Sequence, residues 1–487
     1  MVLIAATAAA ATTFESRCGC SGCIRLIEDK KPCDGVIGKT RNGIIVENVN
    51  LNGKAEIFAA RRQHFMEAIG PGAIAVIPSA PVAVRSGDVE FIYRQDNDLY
   101  YLTGFTEPEA VAVFAPAAKD KFVMFVRPRD KERETWTGRR AGIEGAQIDF
   151  GADAAHNIGE FETVMPRMLD QVEQVYYPLG QNERMNLKML EMVRSSQAMR
   201  PRMGSGPHAI LDPRELIHEA RLHKSPEELA AMEHAIAIST EAHKAAMSRA
   251  RGGMIEWEIE ALVDYTFRSR GAAGPSYPSI IASGPNAAVL HYINNDREMK
   301  AGELLLIDAG CEYEFYASDV TRTFPIGTRF NPLQRDLYEL VLAAQLKGIE
   351  AVGTGVSFDD PHEAATRVLA DGMCRMGLIK GPVEDALKSG SYRRYYMHRT
   401  SHWLGMDVHD VGLYRIGGAA RKLEPGMVLT VEPGIYIAPD DEDAPEEFRG
   451  IGIRIEDDVL VTADGYKVMT AAVPKTVAEI EELTTAG

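Results

Sequence analysis

ELLLIDAGCEYEFYASDVTRT, residues Glu303 to Thr323, decides how the rest of the chain is read. Four apolar residues, Leu304 to Ile307, lead into a carboxylate, Asp308. The segment turns near Glu312–Phe315 and runs back to a second carboxylate, Asp319. The two lie about equally far from the turn, so a β-hairpin sets their side chains side by side on adjacent strands. Like charges placed opposite each other are unfavourable unless a cation or a proton joins them, so a hairpin that pairs two aspartates points to a metal. Taken alone, the same spacing is better read as one aspartate in a turn and one on a solvated face. The remainder of the chain changes that reading.

The chain has 487 residues, 45% hydrophobic and 25% charged, with a formal net charge of −17. That length holds two or three domains and a large core, and the composition is that of an ordinary globular protein. A binder of phosphate backbones needs a basic face, so nucleic acid is excluded as a main partner. No apolar run reaches the length of a membrane span. Four of the six cysteines crowd the first 33 residues (Cys18, Cys20, Cys23 and Cys33), and Cys311 and Cys374 stand far apart. This is no disulfide framework, and it fits a reducing cytoplasm.

Residues 1–54 read as a disordered leader or an upstream start. Their cysteines could hold zinc, though the first spacing is tight and no histidine assists. GVIGKT at Gly35–Thr40 fails as a phosphate loop, because Cys33 stands where the first glycine belongs. Residues 55–224 read as one mixed α/β domain. Its strand runs are Gly72–Pro78, Ala110–Pro116 and Lys121–Pro128, and its helices include Thr163–Val175 and Arg184–Ala198. HEARLH at His218–His223 is one residue too long for a zincin motif and reads as a solvated helix end.

A new unit, residues 225–487, opens at Ser225-Pro226-Glu227-Glu228, a capping box with proline at the first helical position. Helices are expected to about Ala250, over Ile255–Arg270, and from Asn331-Pro332 and Asp360-Pro361. Strands are expected at Pro278–Ala282, Glu303–Ala309, Met427–Glu432, Gly434–Ile437 and Ile451–Val461. Three segments match the opening one in character. Tyr395–Gly412 brings His398, His402 and His409 together, an apolar strand ends in Glu432 before Pro-Gly, and Gly450–Thr462 puts Arg454 and Glu456 on one face. Each alone has a bland reading as a strand-end acid, a surface pair or a packed histidine. Jointly, Asp308, Asp319, Glu432 and Glu456 with one imidazole make an oxygen-rich nest whose four negative charges match two divalent cations. Hard donors favour Mn²⁺, with cobalt or zinc able to use the same set. Two such ions roughly 3.5–4 Å apart can lower the pKa of a shared water and orient it as a nucleophile.

SHWLGMDVHDVG, LTVEPGIYIAPD and RGIGIRIEDDV, beside IDAGCEYEFYASDVTRTFPIG, resemble aminopeptidase P of the pita-bread metallopeptidases from about Ala55 to Glu482. The resemblance implies an α+β fold, with a C-terminal pita-bread catalytic domain behind a smaller mixed α/β N-terminal domain. It implies a dinuclear manganese enzyme whose metal-bridging hydroxide attacks the Xaa-Pro bond and releases the N-terminal residue. Asp308, Asp319, His402, Glu432 and Glu456 would be the ligands, with Glu432 also the acceptor of the nucleophile's proton. His291 and His409 would stabilise the scissile carbonyl, and His398 with Tyr436 would flank the proline pocket. Arg454 would brace the cluster, paired with Asp88. Trp136 matches a tryptophan that reaches a neighbouring subunit, which implies a dimer or tetramer. The rival readings are a prolidase, a methionine aminopeptidase, and a non-catalytic binding protein on the same fold.

Overall fold

The structure is a computed structural model that describes residues 54–485. The leader with its zinc and phosphate-loop readings lies outside the described residues, except for Lys54. In chain order the first part runs α1 (Lys54–Ile69), β1 (Ala73–Pro78), β2 (Val84–Ser86), β3 (Val89–Glu90), α2 (Asn97–Thr103), β4 (Val111–Phe114), β5 (Phe122–Val126), α3 (Lys131–Thr137) and α4 (Gly142–Ile148). It continues with β6 (Ala154–Asn157), α5 (Phe161–Leu169), β7 (Gln174–Tyr176), α6 (Glu183–Met203), β8 (Ala209–Leu211) and α7 (Arg214–Leu222).

Six of these strands form one mixed sheet in the order β6-β5-β4-β1-β7-β8. Its central strands are apolar at every position because both faces are covered. Ala73, Ala75 and Ile77 of β1 face one cluster, and Ile74 and Val76 pack with Phe161, Met165 and Met189 of α5 and α6 on the other side. The helix expected over Thr163–Val175 is shorter in the structure. It stops at Leu169, and Gln174–Tyr176 is instead a strand parallel to β1, so the apolar Val175 faces the sheet core. The sequence HEARLH is likewise not a solvated end, because Arg221 is buried among carboxylates.

The second part begins with α8 (Pro226–Arg249), where Ser225 and Glu228 close the expected capping box. Then follow α9 (Glu256–Ser269), β9 (Gly274–Pro275), β10 (Ile280–Ser283), β11 (Leu304–Asp308), β12 (Cys311–Tyr313), β13 (Tyr316–Ala317), β14 (Thr321–Pro325), α10 (Pro332–Glu350) and α11 (Asp360–Arg375). The chain ends with α12 (Val383–Ser389), β15 (Arg415–Ile416), β16 (Ala419–Ala420), β17 (Val428–Val431), β18 (Gly434–Tyr436), β19 (Gly452–Arg454), β20 (Asp457–Thr462), β21 (Gly465–Val468) and α13 (Val477–Thr485). Asn331 caps α10 as expected. The carboxylate before α11, Asp359, makes no cap bond and turns to Arg399 and Arg415 instead. Helices α8 to α11 pack on the strands through one large apolar cluster.

Two broken hairpins organise this half. In the first, β11 pairs with β14 and β12 with β13, and between the two ladders Ala309-Gly310 faces Ser318-Asp319-Val320. In the second, β17 pairs with β20 and β18 with β19, interrupted at Glu432-Pro433 and Ile455-Glu456. Their backbones lock together where Glu456 donates its N–H to the carbonyl of Thr321 at 3.1 Å. Arg322 is fully buried, ion-pairs with Asp457 at 2.7 Å and also donates to Thr321 O at 2.9 Å.

Candidate active site

The breaks are where the carboxylates sit. Asp308 ends β11 opposite Thr321, so the two aspartates of the first hairpin are diagonal neighbours rather than a facing pair. They still converge: the Tyr277 hydroxyl lies 2.7 Å from Asp308 Oδ1 and 2.5 Å from Asp319 Oδ1. In the second hairpin the register carried across the break sets Glu432 opposite Glu456. A break frees these backbones from the ladder and lets four acids turn toward one point.

That point is the floor of a cleft of about 520 Å³. Asp308, Asp319, His402, Glu432 and Glu456 line it together with Tyr277, His291, His398, His409 and Arg454. Asp319, His402 and Glu456 each present a ligand atom within 4.8 Å of the others. His402 Nε2 is 3.4 Å from Asp319 Oδ2 and 3.6 Å from Glu432 Oε1. Its Nδ1 lies 2.9 Å from the carbonyl of Trp403, an arrangement that fixes the ring and leaves Nε2 as the donor to a metal.

The electrostatics say what fits there. Burial, then the charges of Asp319, Glu432 and Asp308, push the Glu456 carboxyl well above its ordinary range. Burial also raises Glu432 and Asp319, against the pull of His402. Although burial alone would lower it, the hydrogen bond to Asp319 and the charge of Glu432 hold His402 up at about 9. Buried acids that cannot all ionise beside one another are a set that divalent cations would stabilise, and oxygen donors with a single imidazole suit hard metals. The residues therefore fit a metal centre.

Around the floor, the Arg454 guanidinium is 4% exposed and bonds Asp308 Oδ2 at 2.6 Å, Thr321 Oγ1 at 3.1 Å and the Tyr436 hydroxyl at 3.0 Å. Tyr436 in turn lies 2.9 Å from His398 Nε2. Burial and then Arg454 lower His398 to about 4, so its ring is neutral at ordinary pH. His409 stands exposed at the cleft edge, its ring centroid 4.4 Å from that of His402. His291 is exposed on the loop after a short 3-10 turn.

Two further named residues, Asp88 and Trp136, do not line this chain's cleft. Within this chain Asp88 sits exposed on the β2–β3 turn and makes no contact with Arg454, whose guanidinium bonds Asp308, Thr321 and Tyr436. Trp136 lies on α3 with 88% of its surface exposed, away from this chain's cleft. Two residues went unread in the sequence. Tyr277 is a lone tyrosine in PSYPSI, and nothing local marks it. Asp458, whose Oδ2 accepts the Asp319 backbone N–H at 3.2 Å, was visible as the last acid of IEDD but had no assignable partner.

Comparison with known proteins agrees with this geometry. Residues 230–463 match metallopeptidase family M24, and residues 58–176 match the aminopeptidase P N-terminal domain. The Xaa-Pro aminopeptidase of Escherichia coli is 42% identical over 433 residues, which cover 88% of this chain and 97% of that protein. Human Xaa-Pro aminopeptidase 3 is 34% identical over 441 residues, covering 88% and 85%. The structure of the Pseudomonas aeruginosa aminopeptidase PepP superposes with a TM-score of 0.87 at 47% identity, covering 89% of this chain and 98% of the other. A zinc-substituted Escherichia coli aminopeptidase P in complex with product gives 0.85 at 41% identity over 89% and 98%.

Proposed function

Because the chain belongs to metallopeptidase family M24 and carries the aminopeptidase P N-terminal domain before it, we propose that its cleft removes the N-terminal residue from peptides with proline in second position. The observation that carries the reading is the convergence of four carboxylates and His402 on one cleft floor. Proline explains the need for a dedicated enzyme: its tertiary amide has no N–H and its ring fixes φ, so clefts built for ordinary peptides exclude it.

Asp308, Asp319, His402, Glu432 and Glu456 would hold two divalent ions, manganese by the hardness of the donors. When bound, such ions supply an activated water and polarise the scissile carbonyl. Glu432 takes the proton of the attacking water and returns it to the leaving proline nitrogen. His291 and His409 donate to the carbonyl oxygen as it gains charge. His398, neutral and held by Tyr436, flanks the proline ring, and Arg454 keeps Asp308 and Tyr436 in place.

We place the domain boundary at Ser225, with the N-terminal domain at 55–224 and the catalytic domain at 225–487. Trp136 and the exposed Val89, Phe91 and Ile92 of the β2–β3 hairpin support a homo-oligomer, dimer or tetramer. Cys311 and Cys374 are free thiols, which suits the cytoplasm. Among the described residues no helix is long and apolar enough to cross a membrane.

The test strips metal with a chelator, restores Mn²⁺, and assays an Xaa-Pro tripeptide beside an Xaa-Pro dipeptide and a Met-Ala peptide. The tripeptide is expected to be cleaved only after reloading. Cleavage of the dipeptide alone would sink the reading in favour of a prolidase. Asp308→Ala is expected to abolish metal-dependent turnover while the unfolding transition persists.

A further inference from the structure

The cleft has apolar walls, with Ile280, Leu290, Ile293 and Val408 among its lining, and charge at particular points. Its floor is anionic, and its buried cation, Arg454, is fully engaged by Asp308, Thr321 and Tyr436. Arg399 is different. It follows His398 directly, lines the same cleft, and has a side chain 56% exposed. Its partner is Asp359, bonded through Nη2, so Nε and Nη1 of its planar fork remain open among the described residues. Asp359 stands at the N-cap of α11 yet gives its carboxylate to arginines rather than to the helix N–H groups. Arg415 approaches the other oxygen of Asp359 at 3.4 Å and is itself tied to the carbonyl of Gly418. Two guanidinium groups on one carboxylate leave one positive charge in excess at the rim.

A free peptide is a dipole with the matching sense: its α-ammonium seeks the acidic floor and its carboxylate seeks a cation further out. At roughly 3.3 Å per extended residue, the carboxylate of a tripeptide lies about 10 Å from its amine. His398 Nδ1 is 3.9 Å from Glu432, and the next residue, Arg399, lines the same cleft with its side chain 56% exposed. We propose that Arg399, held in place by Asp359, reads a carboxylate on the residue that follows the substrate's proline. The carboxylate can be the C-terminus of a tripeptide or an acidic side chain of a longer peptide, and both offer the planar pair of acceptors that a guanidinium fork matches. The device makes the enzyme favour short or acidic peptides.

This inference rests on the Xaa-Pro reading, and the experiment separates the two. The metal-loaded full chain and its Arg399→Gln variant are assayed on Ala-Pro-Ala, Ala-Pro-Ala-amide, Ala-Pro-Asp-amide and Ala-Pro-Asn-amide. Wild type is expected to show a kcat/KM about 3- to 10-fold higher for the free acid than for its amide at low salt, as for a partly solvated charge-assisted hydrogen bond. That ratio shrinks toward one as salt screens the pair. In Arg399→Gln the ratio is near one at every salt concentration, and Arg399→Lys, which keeps the charge but loses the fork, restores part of it. The ratio of the Asp to the Asn amide tells whether a side-chain carboxylate is read as well. Equal ratios in wild type and Arg399→Gln overturn the inference while cleavage of all four peptides keeps the Xaa-Pro reading. Absence of cleavage in every arm overturns both.

Discussion

Gly310 separates the two ladders of the first hairpin. A Cβ built there would lie 1.7 Å from the backbone carbonyl oxygen of Ser318, so the strands can cross this closely only where the side chain is a hydrogen. That crossing brings the Asp319 loop back under Asp308. Gly310→Ala is therefore expected to push the two aspartates apart. Bound metal per chain should fall well below that of wild type, turnover should fall at least about 100-fold, and stability should drop by a few kcal/mol. Gly353 is the control: nothing lies within 4 Å of a Cβ there and its φ is not positive, so Gly353→Ala should stay within about 0.5 kcal/mol of wild type. Metal content by elemental analysis beside a thermal melt distinguishes the two, and full metal loading in Gly310→Ala would refute the account. The same residue shows where sequence reasoning stops. Asp308 and Asp319 were legible as a pair because apolar runs flank a turn. Their diagonal offset was not, because it depends on a crossing enforced by a carbonyl eight residues away. Tyr277 reaches the same pair from a strand-less loop and left no periodic signal.

At the scale of elements, strand and helix identity was readable wherever apolar periodicity and caps agreed, as at Ser225 and Asn331. It failed at Val175, where one short apolar run served strand and helix equally well, whereas α11 starts at Asp360 as expected. The paired hairpins were legible as carboxylate-bearing strands, but their interruptions were not, since a break is a tertiary event. Helix α11 also carries a titration. His362, near its start, lies 2.8 Å from Thr400 Oγ1, and Thr400 accepts the Glu432 backbone N–H at 2.9 Å through its carbonyl. Burial, helped by Arg399 and offset by Asp359, lowers His362 to about 4, against an ordinary 6.5. Between those values the unfolded chain binds a proton that the folded chain refuses, so stability is complete above pH 6.5 and is lost as pH falls toward 4. From pH 6.5 to 5 that loss is on the order of 2 kcal/mol. Urea unfolding of the chelated protein should show it, and His362→Gln should flatten the slope by about that amount. An unchanged slope would assign the acid sensitivity to other groups, of which the fully buried His243, also lowered to about 4 by burial, is the first to test.

Across the whole molecule, the first part of the chain reaches into the catalytic loop. The loop from Trp403 to Gly412 carries His409 and begins beside His402, and charges from three segments hold it. Arg221 of α7 bonds Asp98 of α2 at 2.8 Å, Asp407 at 2.8 Å and Asp410 at 2.7 Å. Lys224 bonds Asp410 at 3.0 Å, Asn97 donates to Asp407 at 2.8 Å, and Arg94 donates to the carbonyl of Met406 at 3.1 Å. The apolar surface continues the join, with Leu404 and Met406 packed in the same cluster as one face of the six-stranded sheet. Charges buried this deeply stabilise little compared with an apolar filling, but removing one member strands the others, at about 3–5 kcal/mol. Such a network fixes one arrangement of the loop among several that apolar packing would tolerate. Arg221→Met is expected to lower stability by that amount. Asn97→Ala removes a single bond to the loop and should cost only about 1 kcal/mol. If the network orients His409, both variants lower kcat more than they raise KM when assayed well below their melting temperatures, because the proposed contact of His409 to the carbonyl oxygen loosens while the carboxylate floor is untouched. If kcat survives in Asn97→Ala and only the melting point moves in Arg221→Met, the first part of the chain acts as a scaffold and not as a positioner of the catalytic loop.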